Sequence, residues 1–123
     1  DHEYKELSSS EREEVLRISA EDDDTPENIL DMLRGRQVWI VHPSGVVTRY
    51  AHLAQVSEEL QTGDPVKAGD FIGTIGNSGT SDGVKGNTAN AHLHFEIWLN
   101  EKTYLGTGLS PAEVREILQK ILE

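Results

Sequence analysis

Cysteine is absent from the 123-residue sequence. That excludes disulfides and thiolate metal sites, so any zinc must be held by His and carboxylate. Long hydrophobic runs are absent as well. None approaches the roughly 20 apolar residues that cross a bilayer, and the start is acidic rather than basic and then apolar as in a signal peptide. Basic residues are scarce, 11 Lys and Arg against 22 Asp and Glu for a formal net charge of −11. Nucleic acid is excluded as a partner, because its phosphates demand a basic face. The imbalance is local: residues 1–31 carry twelve acidic groups against Lys5, Arg12 and Arg17, a net of −9, leaving −2 for residues 32–123. An initiator methionine is also lacking at Asp1, and we expect a portion of a longer chain with further residues upstream. The length fits one domain with a real core.

Ser10-Glu11-Arg12-Glu13 has the S-x-x-E form of a capping box ahead of Val15, Leu16 and Ile18, which predicts a helix over about 11–19. Glu21-Asp22-Asp23-Asp24 is expected to be a solvated loop; it lacks the alternating ligands and glycine of an EF-hand loop. A second helix should start with Thr25 as N-cap and Pro26 at its first position, and stop at Gly35, with Ile29, Leu30 and Leu33 on one face. The period then changes. Residues 37–42, a Pro43-Ser44-Gly45 turn and residues 46–52 read as a β-hairpin. Glycines at 63, 69, 73 and 76 punctuate very short apolar pieces, which predicts short strands with tight corners. From Gly76 to Ala91 runs a Gly, Asn, Ser and Thr-rich stretch, of which Asn77–Ala91 is expected to line a cleft rather than pack in the core, and it has no P-loop lysine to suggest phosphate binding. Beyond the next strand, Asn100-Glu101-Lys102 turns the chain toward a brief pairing at Tyr104-Leu105. The box Ser110-Pro111-Ala112-Glu113 then opens an amphipathic helix whose stripe Val114, Ile117, Leu118, Ile121 and Leu122 is expected to dock on the domain.

The chemistry concentrates in His92-Leu93-His94-Phe95-Glu96. In a strand, alternate side chains share a face, so His92, His94 and Glu96 are expected on one side and Leu93, Phe95 and Ile97 on the other. Same-face neighbours are roughly 7 Å apart, close enough for one imidazole to bind a metal while the other works on its water or substrate. His52 ends the second hairpin strand, and its position alone decides nothing. His42 sits beside the turn and is left out of the site.

Tyr50-Ala51-His52-Leu53, then Gly63-Asp64-Pro65-Val66-Lys67-Ala68-Gly69-Asp70, then Ile72-Gly73-Thr74-Ile75-Gly76-Asn77-Ser78-Gly79, then His92-Leu93-His94-Phe95-Glu96 together resemble the lysostaphin/LytM-like zinc metallopeptidases, in order and in approximate spacing. The resemblance covers about residues 37–99. It implies a mainly β fold of the duplicated-hybrid-motif, barrel-sandwich-like kind, a zinc endopeptidase acting on peptides of bacterial peptidoglycan, and a place outside the cell or in the periplasm. With the flanking segments, the expected arrangement is an acidic helical segment over 1–36, inserted in the same domain, and a β-rich core over 37–123 closed by the C-terminal helix. Position by position, the resemblance makes His94 a metal ligand and His92 and His52 the catalytic histidines, with the last two roles exchangeable.

One part of the pattern is missing. The family's upstream His-x-x-x-Asp, which supplies two further ligands, has no counterpart here: His2 is followed four residues later by Glu6, and His42 by Val46. The reading that follows is a truncated peptidase domain. Its alternative is a non-catalytic module that binds wall or regulates a partner hydrolase, although such a module has no chemical need of three imidazoles. A lipoyl- or biotinyl-like carrier shares the Gly-Asp-x-Val-Lys-Ala-Gly-Asp turns, but the methionine that often accompanies its lysine is wanting, since Met32 is the sole methionine.

Overall fold

The structure is a computed structural model that describes residues 4–21 and 25–122. His2 and the Asp22–Asp24 part of the acidic run lie outside the described residues. The elements run α1 (Ser9–Glu21), α2 (Glu27–Arg34), β1 (Arg36–Val41), β2 (Val47–Val56), β3 (Gly73–Ile75), α3 (Ser81–Val84), β4 (His94–Trp98) and α4 (Pro111–Leu122). The strands make one four-stranded antiparallel sheet in the order β1-β2-β3, with β4 also paired to β2. The β-rich fold with a helical N-terminal segment and a C-terminal helix is as expected from the sequence.

Local chemistry explains most of these boundaries and corrects several expectations. The capping box that starts α1 is Ser8 and Glu11, not Ser10 and Glu13: the Ser8 amide donates to Glu11 Oε2 at 2.8 Å and the Glu11 amide to Ser8 Oγ at 3.3 Å. The helix therefore begins two residues early. Thr25 does not cap α2, because its hydroxyl faces Ser19 Oγ at 3.1 Å; instead the Pro26 carbonyl accepts from the Ile29 and Leu30 amides at 3.0 and 3.1 Å. Gly35 does end α2, at φ 68°. The hairpin also forms, its turn closed by the His42 amide on the Val46 carbonyl at 2.9 Å. At the far end, Ser110 and Glu113 make the expected box, with the Ser110 amide 2.7 Å from Glu113 Oε2.

The chain divides into two compact units. In one, formed by the described residues up to Val38 together with Tyr50–His94, lie the four apolar side chains that are buried among the described residues: Val15, Ile29, Ala51 and Leu53. β3 is laid against β2 with Leu53 opposite Ile75, Gln55 opposite Thr74 and Val56 opposite Gly73, and the register slips by a bulge between Leu53 and Gln55. Close approach requires the glycines here: a Cβ at Gly76 would strike the Ala54 backbone and one at Gly73 the Gln55 carbonyl. The stretch after β3 is only partly the open wall expected from its composition. Gly76, Asn77, Ser78 and Gly79 are buried, and Asn77 Nδ2 donates to the Asn87 and Ala89 carbonyls at 2.8 and 2.9 Å, folding the exposed part back on the buried part.

The other unit, Trp39–Arg49 with the described residues from Phe95 onward, is organised around a cation. Arg49, only 4% exposed, places its guanidinium 3.9 Å from the Trp39 ring centroid and 5.3 Å from that of Trp98, and pairs with Glu96 at 3.0 Å. Trp98 Nε1 donates to the same Glu96 oxygen at 2.6 Å. Trp98 and Tyr104 form the short bridge expected after the Asn100 turn. Helix α4 docks only in part: Val114, Ile117 and Leu118 of its stripe are half-buried, none of its residues is fully buried, and Ile121 and Leu122 are 55% and 67% exposed.

Gly35 combines a positive φ with a backbone contact, since a Cβ there would meet the Ser78 carbonyl group and Oγ, whereas Gly45 has φ 84° and open space around it. Gly35→Ala should therefore lower the unfolding free energy by about 3 kcal/mol or more and Gly45→Ala by about 1–2 kcal/mol, measured by urea denaturation. Equal costs would remove the close packing of Gly35 on Ser78 from this account.

Candidate catalytic site

β2 delivers His52 from inside the strand, not from its end as expected, because the strand continues to Val56. Its backbone is left-handed, φ 59°, a conformation that costs about 1–2 kcal/mol for a non-glycine residue. That twist, next to the bulge, brings the ring to the turn after β3. There His52 Nδ1 lies 2.8 Å from the Ser78 carbonyl oxygen. A carbonyl only accepts, so Nδ1 carries the proton and the neutral ring presents its lone pair at Nε2.

His92 arrives from the other side of the loop. Its amide donates to the Gly76 carbonyl at 3.0 Å, a single bridge rather than strand pairing, and its Nδ1 donates to the Asn90 carbonyl at 2.8 Å. Asn90 itself has φ 54°, which asparagine tolerates better than most residues. His94 opens β4. The three rings converge: the His52 centroid is 5.0 Å from that of His92 and 5.4 Å from that of His94. All three expected site histidines are thus brought together. Glu96, expected on the same face, is engaged with Arg49 and Trp98 instead. His42 Nε2 lies 2.9 Å from Thr48 Oγ1.

Burial lowers the His52 pKa below the usual imidazole value and outweighs the Ser78 carbonyl, which favours the protonated ring; the neighbouring His94 and His92 add to the lowering, and the Arg34 carbonyl opposes it. His52 is therefore held as a neutral base.

Metal ligation is incomplete. Among the described residues no group of three or more His, Asp or Glu is arranged to hold an ion. Glu6, the residue in register with His2, has its Oε1 occupied by the Gly79 amide at 3.0 Å and the Tyr4 hydroxyl at 2.9 Å. A catalytic zinc needs three protein ligands, and the described residues do not make that set.

Three participants were not foreseen. Ser78 supplies the carbonyl that sets the His52 tautomer, Asn90 does the same for His92, and Glu6 anchors the turn that carries Ser78. Ser78 lies within a recognised sequence block, yet nothing in its type marks a backbone role; Glu6 is 73 residues away from its partner.

Residues 24–105 match Peptidase family M23. Among curated proteins, the chain is similar to an uncharacterized metalloprotease of Buchnera aphidicola subsp. Baizongia pistaciae, 38% identical over 68 residues, which are 55% of this chain and 16% of that protein. It is similar to the peptidoglycan DD-endopeptidase ShyC of Vibrio cholerae, 34% identical over 70 residues, 57% of this chain and 14% of that protein. A third similarity is to the DD-carboxypeptidase/endopeptidase Mpg of Neisseria meningitidis serogroup B, 39% identical over 66 residues, 54% of this chain and 13% of that protein. The matched segment is thus about one-seventh of the length of these relatives. No solved structure gives a significant match.

Two outcomes follow. The 123-residue chain should bind zinc weakly or not at all, because the described residues hold no three-ligand group; stoichiometric tight zinc by elemental analysis would contradict this. The His52 shift also makes stability depend on pH. Its folded pKa lies below the unfolded value of about 6.5, so the unfolded state binds more protons as pH falls through that window. Its contribution is complete above about pH 6.5 and is lost as pH falls through the folded pKa. The stability difference between the chain and His52→Gln should therefore shrink on acidification below about pH 6.5, and a difference that grows would reverse the assigned sign.

Proposed function

The chain belongs to peptidase family M23, and from that premise we propose that it is part of a zinc-dependent endopeptidase that hydrolyses peptide bonds in bacterial cell-wall peptidoglycan. The observation that carries the proposal is the convergence of His52, His92 and His94, with ring centroids 5.0 and 5.4 Å from His52, inside the family-matched region. Relatives named as a peptidoglycan DD-endopeptidase and a DD-carboxypeptidase/endopeptidase support the substrate class. Peptidoglycan lies beyond the cytoplasmic membrane, so the proposed location is the cell envelope, periplasmic or extracellular. A wall-binding module without catalysis gains nothing from rings whose Nδ1 atoms are each fixed by a carbonyl.

In this reading residues 1–36 are an insertion in the peptidase domain, and His94 is one metal ligand, the others coming from residues outside those described. The ion when bound supplies a Lewis acid and an acidified water. The chain's own contribution is proton handling. With both Nδ1 protons donated to carbonyls, His52 and His92 each offer Nε2 as a proton acceptor. A ring that has taken a proton from attacking water then holds an N–H at Nε2, which can stabilise the developing oxyanion or be passed to the leaving amine. The ring that accepts the water's proton is the one that later gives it to the leaving amine, and the 5.0 Å separation of the two rings leaves the second Nε2 lone pair beside the same tetrahedral centre.

The decisive experiment pairs metal content with peptidoglycan-peptide cleavage in the complete protein. His94→Ala should lose metal and activity together, while His92→Ala should keep the metal and lose about 10²–10⁴-fold in rate, the usual worth of a general acid or base. His42→Ala, which removes only the contact to Thr48, should leave both nearly unchanged. Absence of cleavage by the unaltered protein would make it a binding module, and full activity in both His92→Ala and His94→Ala would remove these two histidines from the catalytic site.

A further inference from the structure

We propose that the segment Tyr4–Arg12 is a clasp that positions His52, by gripping the turn whose carbonyl holds the His52 ring. Both backbone polar groups of Gly79 are taken by side chains from this segment: Glu6 Oε1 accepts from the Gly79 amide at 3.0 Å, and Arg12 Nε donates to the Gly79 carbonyl at 3.3 Å. The preceding peptide carbonyl, that of Ser78, is the one bound to His52 Nδ1. Tyr4 reinforces the grip twice, through its hydroxyl on Glu6 at 2.9 Å and its ring under the Arg36 guanidinium at 5.5 Å, and the Arg36 amide in turn donates to Ser78 Oγ at 2.9 Å.

The turn has little slack to absorb a failure of this grip. Gly79 has φ 77°, and a Cβ there would meet the Leu33 carbonyl and the Gly35 amide, so the turn is pressed against the end of α2 on one side and held by Glu6 and Arg12 on the other. His52 meanwhile occupies a left-handed backbone conformation that needs its surroundings to maintain it. Burial holds the Tyr4 proton on the phenol, with the bond to Glu6 adding to the effect, so the hydroxyl remains a donor to that carboxylate at neutral pH. Residues 4–12 lie outside the family-matched region 24–105, so membership in the family assigns them nothing. The clasp matters to hydrolysis only on the reading that His52 handles a proton. Glu6, Arg12 and Tyr4 are positioning residues, and none touches the converged rings.

The test reads the ring directly. In the ¹⁵N-labelled full chain, at a pH where the imidazoles are neutral, long-range ¹H–¹⁵N spectra report which ring nitrogen carries the proton. His52 in the unaltered chain should be the Nδ1–H form. In Glu6→Ala and in Arg12→Ala the share of the Nε2–H form, which an imidazole free in water prefers, should rise about threefold or more, as for the weakening of one hydrogen bond. Glu6→Gln keeps an oxygen for the Gly79 amide and should restore the unaltered spectrum. His92, held by Asn90, should not change in any variant. If Glu6→Ala fails to fold by circular dichroism, Arg12→Ala decides, because Arg12 is not a buried side chain. An unchanged His52 tautomer in a folded variant overturns the clasp, and so does an equal change at His92, which would mean general loosening. A tautomer shift as expected, found together with no peptidoglycan cleavage by the unaltered complete protein, would leave the clasp standing and remove the endopeptidase reading.

Discussion

Ser78 Oγ donates to the Leu53 carbonyl at 2.7 Å and accepts from the Arg36 amide at 2.9 Å, so one hydroxyl, 4% exposed, ties the start of β1 to the middle of β2. Its own carbonyl then fixes the His52 ring. The surrounding glycines follow from this knot. Gly35 and Gly79 are there because side chains at those places would collide with the Ser78 backbone or with the end of α2. A left-handed histidine inside a strand is costly, and it persists because carbonyl, hydroxyl and packed turn together over-determine it.

The second unit solves a different problem by a different means. With no buried apolar side chain among its described residues, it centres on Arg49, whose charge is balanced by Glu96 and whose flat guanidinium lies over Trp39. A buried ion pair of this kind is a poor source of net stability but costly to break on one side. It also decides the fate of Glu96. That carboxylate follows the two histidines at strand spacing and is chemically a plausible ligand, yet it is committed to Arg49 and to Trp98 Nε1. Glu6 is committed in the same way to Gly79 and Tyr4. The two carboxylates that sequence spacing places nearest to a metal role are both engaged in holding the structure.

The amphipathic stripe of α4 shows where periodicity misleads. Its capping box and its i, i+3, i+4 spacing predict a helix, and the helix forms from Pro111 to Leu122. Periodicity specifies an apolar face but not a surface to receive it, and no residue of α4 is fully buried. The shift of the first capping box from Ser10 to Ser8 has a similar origin: three consecutive serines offer equivalent caps, and only the geometry of Glu11 against Ser8 selects one.

The sequence by itself determined the elements and the inventory of chemistry. The hairpin, the Gly35 stop, the Ser110 cap and the short glycine-punctuated strand are local events, set by turn residues, caps and period within a few neighbouring positions. The motif blocks likewise identified His52, His92 and His94, because the residue types needed for proton and metal chemistry are few. What only the tertiary structure decided is how those side chains are held. The tautomers of His52 and His92 depend on carbonyls of Ser78 and Asn90, and any residue type carries a carbonyl, so sequence has no letter for that role. The engagement of Glu6 with Gly79 and of Glu96 with Arg49 joins residues 73 and 47 positions apart, where local pattern carries no information and burial alone makes each partner obligatory.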